Sequence, residues 1–335
     1  MDTQTKIAIV IAILTKEVSM NYFDYVSFGQ AIKKIRVELG IRKSDIKELL
    51  NIHPDTLRKI ELGITNAKLV TLEQLSELYK IDLSELLLDY RLNQNRLIKK
   101  LIHQMDELIR LGKHKHLSTL IDSIGTHADS VKDVIDPQAK VRLDQLQLFI
   151  EANLLYESKE IKLLDEAKGK AVFALKLSIP KFNVLTIEHY NYTFMEYRLL
   201  MLIGIILSHT KEYDRSALIF DHLTSRLNGE VLDHNEIKLL AKLYFNASYN
   251  AYRSEDDARS LNYADLGIGL CLKFNVYDSY PHLLLRKCVA QAYLKDLTFT
   301  DTREHCYQFL ASTCQTQQLE QFKKVLERLS LKIST

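Results

Sequence analysis

Residues 28–63 read FGQAIKKIRVELGIRKSDIKELLNIHPDTLRKIELG, and this stretch decides the fold of the amino-terminal part of the chain. Apolar residues recur in it at the three- and four-residue intervals of an amphipathic helix. Gly40 and Gly63 stand where a helix ends in a left-handed residue. Pro54 stands where a helix can begin, because its missing N–H is not needed in the first turn. The stretch therefore predicts three short helices joined by tight turns, and two leucine-rich helices are expected to follow by residue 87.

The whole chain is poor in the residues that strands and long loops need. Only 10 of its 335 residues are glycine and only 4 are proline. Both counts are well below the usual ~7% for glycine and ~5% for proline. A β-sandwich or barrel would lack turn positions in such a chain. We therefore expect an all-α fold with short connections.

Several classes of protein are excluded by what the chain lacks. It has no P-loop, GxGxxG, GxSxG or HExxH motif, so we expect no enzyme, no cofactor and no metal. The apolar run over residues 7–14 is too short to span a bilayer, so residues 1–26 are expected to be an amino-terminal extension of a cytoplasmic protein without a membrane partner. The cysteines form no CxxC pair, which favours buried thiols in a reducing cytosol: Cys271, Cys288, Cys306 and Cys314.

The second and third predicted helices form a helix-turn-helix arrangement that ends in Ile60-Glu61-Leu62-Gly63. Residues 27–88 resemble the lambda-repressor-like, or Cro-type, DNA-binding domain, and residues 89–112 are expected to form a linker helix. In that family the start of the second helix and the first half of the third meet DNA. The resemblance therefore implies seven DNA-binding residues here: Arg42, Lys43, Pro54, Asp55, Thr56, Arg58 and Lys59.

The charge of this domain agrees with DNA binding, although two positions leave alternatives open. Residues 28–68 carry nine Lys or Arg and five Asp or Glu, a net charge of +4, as attraction to phosphate requires. Asp55 could stabilise the helix dipole or accept a hydrogen bond from a cytosine amino group. Lys43 replaces the family's usual glutamine and can reach a phosphate but reads no base. Lys47, Thr65 and Ala67 also depart from the family's pattern, and these departures indicate either an altered operator or a domain that has kept its fold and lost its DNA.

After residue 90, helix follows helix at a spacing typical of a repeat protein. In the third pair, Gly204 and Ser216 fall where small residues let two helices cross, and Tyr213 and Phe220 fall where aromatic rings fill the groove to the next repeat. Residues 113–335 are thus predicted to form a right-handed, tetratricopeptide-like solenoid whose concave face, lined by the first helix of each pair, suits an extended peptide. The five predicted pairs and the capping helix cover residues 93–111 with 116–124, 138–156 with 159–177, 187–209 with 214–226, 235–252 with 257–274, 281–294 with 301–315, and 318–332.

The first helix of the fourth pair carries the best candidates for binding a peptide. Asn246 and Asn250 lie one turn apart, with Lys242 one turn earlier. An asparagine amide offers a donor and an acceptor to a peptide backbone of any sequence, and Tyr249 adds contact area. The alternative for Asn246 is a solvated or capping side chain.

A Cro-type domain joined to a tetratricopeptide-like domain resembles the peptide-sensing regulators of Gram-positive bacteria of the Rgg, PlcR and PrgX type. The local likeness is carried by LYFNA at 243–247, YADLGI at 263–268 and CLKFN at 271–275. The resemblance implies a cytoplasmic quorum-sensing transcription regulator that binds double-stranded operator DNA as a homodimer and is switched by a short signalling peptide. In that group an asparagine at the position of Asn246 clamps the peptide backbone. Further candidates lie on neighbouring first helices, where a cation could meet a peptide carboxylate: Arg198, Arg286, Lys287 and Gln291.

Two other functions remain open from the sequence. The chain could be a DNA-binding repressor whose repeat domain binds another protein. It could also be an interaction module whose helix-turn-helix no longer binds DNA.

Overall fold

A computed structural model describes residues 23–90, 93–110, 113–130, 137–158, 160–228, 233–313 and 316–333. These ranges contain α-helices and two short 3-10 helices but no strand, and the all-α prediction is confirmed. The chain divides into two compact units, one within residues 1–111 and 126–140 and the other within residues 112–125 and 141–335. Residues 1–22 of the predicted extension over 1–26 lie outside the described residues. The same holds for positions 91, 92, 111 and 112 of the predicted linker.

The amino-terminal unit begins with five short helices whose ends follow local signals. Asp24 caps the first helix by accepting from the Ser27 backbone N–H at 3.0 Å. Asn51 ends the second helix in the left-handed conformation with φ of 56°, and Pro54 opens the third. The helices are α1 (Tyr25–Glu38), α2 (Lys43–Leu50), α3 (Pro54–Glu61), α4 (Leu69–Tyr79) and α5 (Leu83–Asp89).

One apolar core holds these five helices together. A Cβ atom at Gly29 would lie 2.8 Å from the Glu61 carbonyl oxygen, so only glycine lets α1 pack this closely on the end of α3. Most of the predicted apolar positions are buried, whereas Leu39, Leu49 and Leu69 are exposed. The core is formed by Phe28, Ile32, Ile46, Ile52, Leu57, Ile60, Leu72, Leu75, Tyr79 and Leu83.

The remaining helices continue to the carboxyl end of the described chain. They are α6 (Asn93–Arg110), α7 (Leu117–Ser130), α8 (Pro137–Glu157), α9 (Ile161–Lys176), α10 (Phe194–His209), α11 (Tyr213–Asn228), α12 (His234–Arg253), α13 (Asp257–Phe274), α14 (Tyr280–Leu294), α15 (Phe299–Ser312) and α16 (Thr316–Ile333). From α10 onward each helix packs on the next, and α12 also packs on α10 and α14. The first helices of successive pairs are therefore neighbours.

The prediction that a helix starts at position 187 is wrong. Residues Val184–His189 form a 3-10 helix, and α10 begins at Phe194. The reason is a capping box: the Thr193 backbone N–H donates to Glu196 Oε2 at 2.6 Å, and the Glu196 N–H donates back to Thr193 Oγ1 at 3.4 Å. This reciprocal cap starts the helix one turn before the apolar run.

The predicted close crossing of the third pair is confirmed. Ser216 Oγ donates to the Gly204 carbonyl oxygen at 2.8 Å, and a Cβ at Gly204 would lie 3.0 Å from the Phe220 ring. The fourth pair repeats the device, since Ser248 Oγ donates to the Ser260 carbonyl at 2.8 Å. Small residues thus set the distance between α10 and α11 and between α12 and α13.

Three of the four cysteines are buried free thiols, namely Cys271, Cys288 and Cys306. Burial raises the pKa of each thiol to about 12, so they are protonated and unreactive at neutral pH. Cys314 lies outside the described residues. No helix in the described part of the chain is both long enough and apolar enough to cross a membrane.

Candidate functional site

The seven residues predicted to contact DNA lie on α2 and α3, with Arg42 one position before α2. A buried carboxylate holds these two helices together. Glu61 is 2% exposed, and its side chain accepts from Arg36 Nε at 2.5 Å and pairs with Lys43 Nζ at 3.1 Å. Lys43 is therefore paired inside the domain. It can contact a phosphate only by leaving Glu61 or by binding both groups at once.

Every cation among the seven is paired with an acid of the same unit. The pairs are Arg42 with Asp45 at 3.0 Å, Lys43 with Glu61 at 3.1 Å, and Arg58 and Lys59 with Asp55, each at 2.9 Å. The side chains of Arg58 and Lys59 remain about half exposed, at 51% and 46%. Exposed ion pairs are weak, so a phosphate can take the place of the Asp55 carboxylate.

Asp55 sits in the first turn of α3 and is ionised at any physiological pH. Hydrogen bonds from Lys59 and then from Arg58 lower the pKa of its carboxyl to about 2. Its backbone N–H donates to His53 Nδ1 at 3.2 Å, which caps the helix. This place agrees with stabilisation of the helix dipole, whereas reading of a cytosine stays a prediction. Of the two uncharged candidates, Pro54 is half-buried and Thr56 is exposed.

A cavity of about 200 Å³ lies in the second compact unit, which is called the repeat unit below. The first helices of four successive pairs converge there. Helices α8, α10, α12 and α14 line it, and α11 contributes one ring. Most of the lining is aromatic or aliphatic, with a few polar groups among it. The lining residues are Tyr156, Ile205, Ser208, His209, Phe220, Phe245, Asn246, Tyr249, His282, Leu285 and Arg286.

Three of the eight residues predicted to bind a peptide meet in this cavity: Asn246, Tyr249 and Arg286. Asn246 is partly exposed, and its Nδ2 atom donates to the Lys242 carbonyl at 2.8 Å within the same helix. Its amide is thereby oriented on α12. This hydrogen bond uses one donor of the amide, and a role of Asn246 in holding a peptide backbone stays a prediction.

Two predicted amides lie elsewhere. Asn250 is 3% exposed and donates to the Tyr213 carbonyl at 3.1 Å, so it ties α12 to the start of α11. Gln291 is 2% exposed and donates to Thr298 Oγ1 at 2.6 Å. Neither lines the cavity, because each is used to join neighbouring helices.

The other predicted cations also lie outside the cavity. Lys287 pairs with Asp265 at 2.7 Å. The Arg198 guanidinium lies over the Phe194 ring at 4.7 Å from its centroid, and Lys242 is exposed on α12. A peptide role for these residues stays a prediction without support from the cavity.

Arg286 is the cation that the fold places in the cavity. It is 7% exposed, and its guanidinium lies over the rings of Tyr249 and Tyr252, at 5.2 and 4.6 Å from their centroids. Its Nε and Nη2 atoms are buried and have no hydrogen-bond partner among the described residues. Burial lowers the pKa of the Arg286 guanidinium, and the nearby tyrosines and Asp257 oppose the shift.

Sequence reasoning missed four polar members of the cavity: Tyr156, Ser208, His209 and His282. Tyr156 Oη and His209 Nε2 lie 3.2 Å apart. His282 packs edge-on against Phe245. These residues come from three different helices, and no spacing along the chain signals that they meet.

A second, wider groove of about 740 Å³ runs beside α9 and holds none of the predicted residues. It is lined in part by lysines, of which Lys168 is already paired with Glu212 at 3.2 Å and Asp165 at 3.3 Å. It has no buried polar atom without a partner among the described residues. The smaller cavity is therefore the candidate site of the repeat unit.

Comparison with known proteins agrees with this geometry. Residues 32–86 match the helix-turn-helix family HTH_3. The amino-terminal unit carries a helix-turn-helix domain. No curated protein matches the chain by sequence.

Over 90% of its residues, the chain is similar in fold to three solved proteins. PlcR from Bacillus thuringiensis, in complex with the peptide PapR7 and DNA, is 14% identical with a TM-score of 0.66, over 90% of this chain and 99% of PlcR. ComR from S. thermophilus, in complex with DNA and its signalling peptide ComS, is 13% identical with a TM-score of 0.57, over 90% and 99%. The SHP pheromone receptor Rgg2 from Streptococcus dysgalactiae is 11% identical with a TM-score of 0.53, over 90% and 98%. At this identity the likeness concerns the fold, and the predicted resemblance to this group is confirmed at that level.

Proposed function

We propose that this protein is a cytoplasmic transcription regulator that binds operator DNA as a homodimer and is switched by a short linear peptide bound in the cavity between α10, α12 and α14. The observation that carries the proposal is the meeting of Asn246 and Arg286 in one aromatic cavity. Asn246 can hold a peptide backbone, and Arg286 can hold a negative charge. Pockets that combine apolar walls with a few converging polar groups are typical ligand sites.

The DNA-binding half of the proposal rests on the helix-turn-helix match and on the charge of α2 and α3. Arg42, Arg58 and Lys59 are exposed and held by weak pairs, so phosphates can compete for them. Because Cro-type domains normally read two half-sites, a dimer follows from this mode of binding. The solved relatives with similar folds were crystallised with DNA and with peptides, which supports the same pair of ligands here.

The test uses the whole chain and two asparagines of the same helix. An operator is selected from fragmented genomic DNA, and peptides that copurify with the protein from its native host are identified by mass spectrometry. We expect such a peptide to change operator affinity in the wild type and in Asn235→Ala, whose side chain is exposed at the start of α12. Asn246→Ala should keep operator binding and lose the response to peptide. A peptide response that survives Asn246→Ala would remove this residue from the site.

A second candidate function is favoured by the internal pairing of all four predicted DNA-contacting cations. If these pairs persist, the domain is an interaction module that no longer binds DNA. Selection that yields no salt-sensitive specific complex would establish this alternative and contradict operator binding.

A further inference from the structure

Arg286 is an exception among the buried polar groups of this chain. Buried side-chain donors are nearly always hydrogen-bonded, and a buried charge is expected to have a counter-charge. Arg286 keeps two buried donor atoms, Nε and Nη2, without a partner among the described residues. Its guanidinium contacts the rings of Tyr249 and Tyr252, which neighbour each other on α12.

The missing partner is not supplied by the surrounding protein. Asp257 is the acid whose charge acts on Arg286, yet the two form no ion pair in the described structure and Asp257 Oδ1 is itself buried without a partner. The next residue along α14, Lys287, has its own acid in Asp265 at 2.7 Å. The unsatisfied donors of Arg286 therefore remain available within the wall of the cavity.

The shape of the site indicates which anion would fit. A guanidinium donates hydrogen bonds in its own plane, and Nε and Nη2 together form the fork that binds both oxygens of a carboxylate. The rest of the wall is largely apolar, with Ile205, Phe245 and Leu285 beside it. A group that enters must therefore bring a carboxylate and an apolar side chain together.

The last residue of a peptide meets this requirement. It carries an α-carboxylate and a side chain on one carbon, whereas an internal aspartate or glutamate brings a charge without an apolar group. Asn246, on the same wall, is then placed for the backbone of the residues that precede it.

We propose that the cavity is a receptor for the free carboxyl end of a peptide, with Arg286 binding the terminal carboxylate and the aromatic wall selecting an apolar last side chain. This inference rests on the proposed function, in which the ligand is a peptide. It adds the direction in which the peptide lies and the chemical group that the cavity requires.

The experiment uses the full-length protein and one mixture of two heptapeptide libraries of identical sequences, one with free carboxyl ends and the other with carboxamide ends. Peptides captured by the protein are identified by mass spectrometry, which separates the acid from the amide. We expect the acid forms to be enriched by about 30-fold or more, the ratio that corresponds to loss of one buried charge pair. The enriched acids should share an apolar last residue.

Two variants locate the effect. Arg286→Gln should bind acid and amide forms alike, while Lys273→Gln, at an exposed position of α13 outside the cavity, should keep the preference. Circular dichroism shows whether the two variants fold. If Arg286→Gln does not fold, the acid-to-amide ratio of the wild type still decides whether the cavity requires a free carboxyl end.

The outcomes separate this inference from the proposed function. Equal capture of acid and amide forms by the wild type would overturn the carboxyl-end receptor and leave a peptide-responsive regulator intact. Capture of neither library would overturn both. A rise in the thermal midpoint with sodium benzoate as large as that with the enriched peptides would show a site for small carboxylates and overturn the peptide assignment.

Discussion

Removal of the Asp55 carboxylate is expected to strengthen sequence-independent DNA binding. In the free protein this side chain holds Arg58 and Lys59, each at 2.9 Å, at the start of the helix that is expected to enter the major groove. Phosphates must displace it before either cation can neutralise the DNA backbone. Asp55→Asn keeps the size of the side chain and removes the competing charge.

The magnitude follows from the number of cations released. Each phosphate neutralised on duplex DNA changes the slope of log affinity against log salt by about 0.9, so two cations steepen it by up to about 1.8. Over a fourfold change in salt concentration this slope corresponds to about a tenfold difference in affinity. The gain applies to random sequence, so discrimination in favour of the operator should fall.

The assay is fluorescence anisotropy of a labelled random-sequence duplex, titrated at a series of potassium chloride concentrations. Glu48→Gln is the matched control, because Glu48 is an exposed acid on α2 and holds neither cation of α3. A slope for Asp55→Asn equal to that of the wild type, or a rise equal to that of Glu48→Gln, would refute the competition between Asp55 and phosphate.

Two further predictions concern stability. Glu61→Gln leaves Arg36 and Lys43 without their shared buried carboxylate and should destabilise the helix-turn-helix domain by about 3 kcal/mol or more. Urea unfolding followed by circular dichroism measures this loss. An unchanged unfolding transition would contradict the role of Glu61. Because burial lowers the pKa of His222 below its usual 6.5, the unfolded chain binds a proton that the folded one does not, and stability should fall as pH drops below about 6.5. His222→Gln should flatten this fall in the thermal midpoint; an identical pH profile in the variant would argue against it.

The cavity illustrates how far sequence patterns reach into a binding site. Asn246 was predicted because its amide lies one turn from other polar residues on one helix, and the cavity includes it. Asn250 was predicted by the same spacing, but packing of α11 on α12 turns it to the Tyr213 carbonyl. Arg286 is predicted only as a cation on a neighbouring helix. Its surroundings are decided by the packing of α12, whose Tyr249 and Tyr252 rings contact the guanidinium.

The sequence by itself determined the helical class, the helix-turn-helix and most helix ends. These depend on local physics: the period of apolar residues, the left-handed ends at Gly40 and Asn51, and the start of α3 at Pro54. It failed at residue 187, because the helix begins only at Phe194, after the capping box of Thr193 and Glu196. The tertiary structure alone decided which polar groups are satisfied and which face a cavity. Satisfaction of a buried donor depends on atoms brought from other helices, as the contrast between paired Lys287 and unpartnered Arg286 shows, and no local pattern encodes that distance.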